Sequence, residues 1–155
     1  MPNRPTRATI GALMLALLAM PAVQAQRGAD PVALVEQRQA RMKALGASMK
    51  TLSGFAKGEA SAPDAQKAAE ILAAGGRAMP GWWARGTGVG VSDSEAKPEI
   101  WTDAANFRQR LVAFQRASAG MQIAARTGDA TKVGAELRTA GASCKGCHDG
   151  FRLED

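Results

Sequence analysis

The only histidine of the chain, His148, directly follows Cys144-Lys145-Gly146-Cys147, which holds the only two cysteines. C-x-x-C-H is the attachment signature of c-type haem. Residues three apart share a helix face, so both sulfurs can form thioether bonds to the two vinyl groups on one porphyrin edge. The imidazole, next in sequence, then projects under the ring towards iron. Other uses of these five residues suit their surroundings less well. A thioredoxin-like pair needs a helix N-terminus and a βαβ context, whereas these cysteines fall near the end of the last helical segment. A disulfide closing so small a loop would stabilise little, and zinc would want a fourth donor beyond two thiols and one imidazole. One covalent haem c per chain is therefore expected, anchored by Cys144 and Cys147, with His148 as the proximal iron ligand.

Little else in the composition could carry chemistry. A single imidazole excludes His-rich zinc sites and two-His facial triads. The 155 residues allow one domain, and 46% hydrophobic content supports a packed core. Arg4 and Arg7, the apolar run from Ala8 to Met20 and the small-residue site at Val23-Gln24-Ala25 read as a secretory leader over residues 1–25. The apolar run falls short of the roughly 20 residues that a spanning helix needs, so no stable membrane anchor is expected. Cleavage leaves a bundle domain over residues 26–155 and removes two arginines, lowering the formal charge from +6 to +4. The remaining basic residues never form a run, which argues against nucleic acid as a partner.

Four segments with helical periodicity must position the motif. The first takes Asp30 as N-cap and Pro31 at N1, aligns Val35, Arg38, Met42, Leu45, Met49 and Leu52, and should stop near Ser53-Gly54. The second begins around Ser61 and ends at Pro80-Gly81; the third runs from Thr102-Asp103 to Gly128. The fourth is capped by Asp129 and aligns Val133, Leu137, Ala140, Cys144, Cys147 and Phe151. Their 3.5-residue spacing predicts an all-α, left-handed, antiparallel up-down-up-down four-helix bundle. The connection from Pro80 to about Pro98 is long enough to be either disordered or functional. Its adjacent Trp82 and Trp83 argue for packing.

With an export leader, four helices and a C-terminal C-x-x-C-H, the chain resembles the class II c-type cytochromes, cytochrome c' and its low-spin relatives. The resemblance covers residues 30 to 155 and is most specific at CKGCHDGFR (144–152), RMKALGASMKTLSGFAKGE (41–59) and KPEIWTDAANF (97–107). Around Met42-Lys43 the chain is similar to the low-spin branch, in which a methionine of the first helix binds iron. Around Arg38-Gln39 and Trp83 to Thr87 it is similar to the five-coordinate branch, where the position matching Met42 shields the distal face. The bland reading of Met42 is a core methionine at a seam position. Its place on the inward stripe and the lack of a second imidazole favour ligation, with Met49 as the fallback; Met79 and Met121 read as core.

The leading expectation is thus a periplasmic electron carrier, serving periplasmic redox proteins, with iron held by His148 and Met42. The alternative leaves Met42 unbound over a five-coordinate iron that takes NO or CO. Enzymatic turnover, as in a haem peroxidase, is not expected, because no distal His or acid–base pair can be identified. The resemblance also implies a homodimer through the first two helices. For the haem pocket, Arg38 and Gln39 are expected on the inner seam, with a haem propionate satisfying the Arg38 charge. Trp82 and Trp83 would cover a haem edge, Phe107 and Phe151 would form apolar walls, and Arg152 would sit one turn beyond His148.

Overall fold

The computed structural model describes residues 29–154. The expected leader over residues 1–25 lies outside them. Four long helices form the bundle: α1 (Pro31–Ala56), α2 (Ala62–Ala78), α4 (Ala104–Arg126) and α5 (Ala130–Phe151), with the single turn α3 (Glu99–Thr102) before α4. Each long helix begins at the polar residue expected to cap it. Asp30 accepts from Val32 N–H at 3.0 Å, Ser61 from Asp64 N–H at 3.2 Å, Asp103 from Asn106 N–H at 3.4 Å and Asp129 from Thr131 N–H at 2.9 Å. These bonds satisfy amides that the first helical turn leaves without partners.

The ends were less well marked. α1 continues past Gly54 to Ala56 and is stopped by Gly58, whose φ of +79° favours a residue without Cβ. Gly54 keeps helical hydrogen bonding, so glycine alone does not end the helix. α2 ends at Ala78, before Pro80, and continues as a 3-10 turn over Met79–Trp82. The turn α3 was not expected from periodicity, because one turn is too short to show any. Ile100 buries it against the core, and Trp101 Nε1 donates to Trp83 O at 3.0 Å.

α1 packs on α2 and α5, and α4 packs on the same two helices, which places the four in a closed ring. Leu52, Leu72, Met121, Val35 and Val133 fill its interior without solvent contact. α2 approaches both neighbours closely because it offers glycine at the crossings. A Cβ on Gly75 would collide with Leu45, and one on Gly76 with Ser118 Oγ. No helix among the described residues is long and apolar enough to cross a membrane.

The segment from Trp83 to Pro98 is ordered by contacts on two sides. Towards α1, Gln39 Nε2 donates to Asp93 O at 3.1 Å, and Arg38 reaches Thr87 and Ser94. Towards the end of α5, Lys97 N donates to Phe151 O at 3.0 Å and Leu153 N to Glu95 O at 2.9 Å, around an isolated antiparallel bridge between Ala96 and Arg152. The long connection is therefore a strap between the first and last helices.

Candidate haem-binding site

The last two turns of α5 set Cys144, Cys147 and His148 along one cavity of about 740 Å³, to which all four long helices contribute. That volume lies within the range of about 300–1,000 Å³ usual for ligand and cofactor pockets. Both cysteines are half-buried and His148 stands at the exposed rim. Lys145, between them in sequence, points away and pairs with Asp149 at 2.7 Å on the exposed face. Burial pushes both thiols up, Cys147 to about 11 with the neighbouring Cys144 adding to the effect. They are thus protonated at neutral pH, unlike the acidic thiolate of a dithiol redox centre. Partial burial, followed by the charge of Arg152, lowers the His148 imidazole from its ordinary range, which keeps it neutral as iron ligation requires.

Facing α5, α1 contributes Arg38, Gln39, Met42, Leu45 and Met49, while α2 and α4 add Leu72, Leu111 and Phe114. Met42 and Met49 are only partly buried although they share the stripe of the fully buried Leu52. They line the cavity instead of filling the core. Met79 is buried as expected but also borders the cavity, and Met121 is wholly core.

Two polar groups in this wall bear on whether haem fits. The indole Nε1 of Trp83, a cavity-lining residue, is buried without a hydrogen-bond partner. Arg38, 5% exposed, lies with its guanidinium carbon 5.1 Å from the Trp83 ring centroid. An unused donor beside a buried cation calls for an anionic acceptor, and the carboxylate of a haem propionate is one. Among the described residues no three His, Cys, Asp or Glu side chains gather to hold a metal ion unaided. The porphyrin nitrogens would supply what is missing, so the residues present fit haem.

Several expectations need correction. Arg38 does not depend on a propionate for hydrogen bonding: Thr87 Oγ1, Thr87 O and Ser94 Oγ accept from it at 2.8, 2.7 and 2.9 Å. Burial lowers its pKa from the ordinary arginine value. The two tryptophans separate, because the 3-10 turn aims Trp82 into another groove, where Arg41 lies 5.4 Å from its ring. Phe107 stands one layer behind the cavity and props its wall, its ring centroid 5.0 Å from both Trp83 and Phe151. Phe151 does line the cavity. Arg152 is not a further turn of α5: the helix ends at Phe151 and Arg152 is extended, with Nε 3.7 Å from Glu95 Oε2. It still borders the cavity.

Residues missed from the sequence include Thr87, Asp93, Ser94, Glu95 and Arg110. Thr87 orders Arg38, while Asp93, Ser94, Glu95 and Arg110 line the cavity. Four of the five lie on the strap, where no periodicity reports orientation. The Asp93 carboxyl is held below its usual range, first by the nearby Gln39 side chain.

The family described as Cytochrome C' matches residues 33–152. Cytochrome c' of Pararhodospirillum photometricum is 38% identical over 125 residues, covering 80% of this chain and 99% of the relative. A cytochrome c' structure with ligand-controlled dimer dissociation superposes with a TM-score of 0.77 at 28% identity, covering 82% of this chain and 99% of that one. The nitric oxide complex of a cytochrome c prime variant from Alcaligenes xylosoxidans gives 0.73 at 32% identity, covering 83% and 99%. These relatives are cytochromes c', and they lend no support to the low-spin Met/His branch expected from Met42. The chain belongs to the cytochrome c' family, whose members carry covalently bound haem c.

Proposed function

We propose that this protein is a periplasmic cytochrome c' that binds a neutral diatomic gas, NO or CO, at a five-coordinate haem iron. Cys144 and Cys147 anchor the haem by thioether bonds, His148 is the proximal ligand, and Met42 covers the distal face without ligating. The reading rests above all on one observation: the C-x-x-C-H residues share a cavity whose facing wall includes Met42, Leu45, Met49 and Leu72. Leu45, Met49 and Leu72 line the same wall, so the part-buried Met42 has an apolar setting at the cavity without an iron bond. When bound, haem c supplies an iron with an open coordination position for such a gas.

The chain's own residues then have separate tasks. Met42, Met49 and Leu72 keep the distal side apolar, which suits a neutral diatomic and discourages water. Arg38 and Trp83 offer donors to haem carboxylates, and Arg152 keeps a positive charge near His148. His148 is the only imidazole in the sequence, which leaves none to act as a distal acid or base, so binding without turnover is the proposed activity. Adding CO to the dithionite-reduced protein should change the Soret band at once, to a one-to-one end point. A reduced protein that ignores CO would overturn this reading in favour of an electron carrier with Met42 on the iron.

The second groove, about 550 Å³, opens between α1 and α2 and is lined by Arg41, Leu45, Ile71, Gly75 and Trp82. Ile71 there is 42% exposed. A second copy covering this face would form the homodimer that the resemblance implies. Sedimentation should then show a dimer at micromolar concentration that Ile71→Glu dissociates; monomer at all concentrations would reject it.

A further inference from the structure

We infer that Thr87 and Ser94 are positioning residues that hold the buried Arg38 guanidinium as a fixed positive charge on the wall of the haem cavity. The inference rests on the haem-binding reading above and concerns how the strap sets the redox balance of that site.

The hydrogen-bond directions carry the argument. The Thr87 hydroxyl donates to Ala84 O at 2.7 Å, so its oxygen has only lone pairs left for Arg38 Nη1. The Ser94 hydroxyl donates to Thr87 O at 2.9 Å, and its oxygen accepts from Arg38 Nη2 and from Ala96 N. Each hydroxyl proton is thus committed to a carbonyl of the same strap. Both oxygens are locked as acceptors before the guanidinium arrives. Thr87 has no solvent exposure and Ser94 only 6%, so neither can exchange its partner for water.

All three acceptors around Arg38 are neutral, and among the described residues no carboxylate pairs with it. Arginine keeps its proton even when buried, so its charge is oriented by the strap but not cancelled by it. A fixed cation bordering the cavity favours the less positive, ferrous centre and the anionic carboxylates of haem. Arg38 lies one helical turn before Met42, which puts this charge on the same wall as the distal cover. Thr87 does not line the cavity and would act through Arg38.

The test compares midpoint potentials of the haem-loaded wild type, Arg38→Gln, Thr87→Val, Thr87→Ser and Ser94→Ala. Thr87→Val keeps shape and removes the hydroxyl, and Thr87→Ser keeps the hydroxyl. We expect Thr87→Val and Ser94→Ala to lower the potential in the direction of Arg38→Gln, with the ferrous-to-ferric ratio at fixed applied potential falling roughly fivefold, as displacement of a cation from beside the iron site would produce. Thr87→Ser should stay near wild type. Unchanged potentials in Thr87→Val and Ser94→Ala beside a shifted Arg38→Gln would overturn the inference, as would a Thr87→Ser shift as large as that of Thr87→Val. Should Thr87→Val not fold, Thr87→Ser and Ser94→Ala still decide between these outcomes. A haem stain on each purified protein distinguishes failure of the haem reading from failure of this one. NMR of the Arg38 guanidinium gives a readout independent of iron chemistry: slow Nη proton exchange in wild type and Thr87→Ser, fast exchange in Ser94→Ala. Equally fast exchange in the wild type would also refute the positioning role.

Discussion

On α5, the three side chains that would attach haem, Cys144, Cys147 and His148, fall within five consecutive residues of a single helix. The facing wall draws Met42 and Arg38 from α1, Leu72 from α2 and Ser94 from the strap, residues up to 56 positions apart in hydrogen-bonded contact. The first wall is set by local helix geometry. The second exists only once the bundle has closed and the strap has docked on both α1 and the end of α5. Damage to the helical motif should therefore abolish cofactor attachment, whereas damage across the cavity should retune the site or loosen the strap.

The sharpest contrast comes from the motif itself. Cys144→Ala combined with Cys147→Ala should leave no covalent haem on a denaturing gel stained for peroxidase activity, and the apo bundle should melt at a lower temperature because the ligand's contribution to the folded state is lost. Arg38→Met comes next. It strips Thr87 and Ser94 of their partner and should cost about 2–3 kcal/mol in denaturant unfolding of the haem-loaded protein. Hydrogen exchange should accelerate over residues 87–96 and stay slow over the middle of α5. Equal acceleration in both regions would show that the two walls are not independent.

Met42→Ala should leave stability and haem content nearly intact while CO binds the reduced protein about tenfold more tightly, because the side chain no longer restricts the binding-competent arrangement. The smallest effect is expected where the motif faces solvent. Lys145→Ala removes an exposed i,i+4 ion pair with Asp149, its partners 76% and 59% exposed, and should change stability by no more than about 0.5 kcal/mol.

The same contrast explains what could be read without coordinates. The helix starts at Asp30, Ser61, Asp103 and Asp129 were visible because capping is local chemistry. So was the haem motif. The sequence marks the end of α1 near Ser53-Gly54, short of Ala56, since the stop depends on which glycine takes positive φ, and that is Gly58. Trp82 and Trp83 looked equivalent in sequence, but the 3-10 turn sends one to each groove. Arg38 was recognised as inward-facing, yet its partners could not be named because they sit 49 and 56 residues away on a segment without periodicity. The stripe, the single imidazole and the resemblance around Met42-Lys43 point to Met42 as an iron ligand, a role that the cytochrome c' relatives do not support. A position on a stripe places a side chain at the cavity, and the chemistry it performs there depends on the neighbours that share the wall.

The most direct test of the central claim is the EPR spectrum of the oxidised, haem-loaded wild type at neutral pH. The account predicts a high-spin ferric signal, from iron held by His148 with Met42 unbound. A low-spin ferric signal that Met42→Ala converts to high spin would contradict it and restore Met42 as an iron ligand.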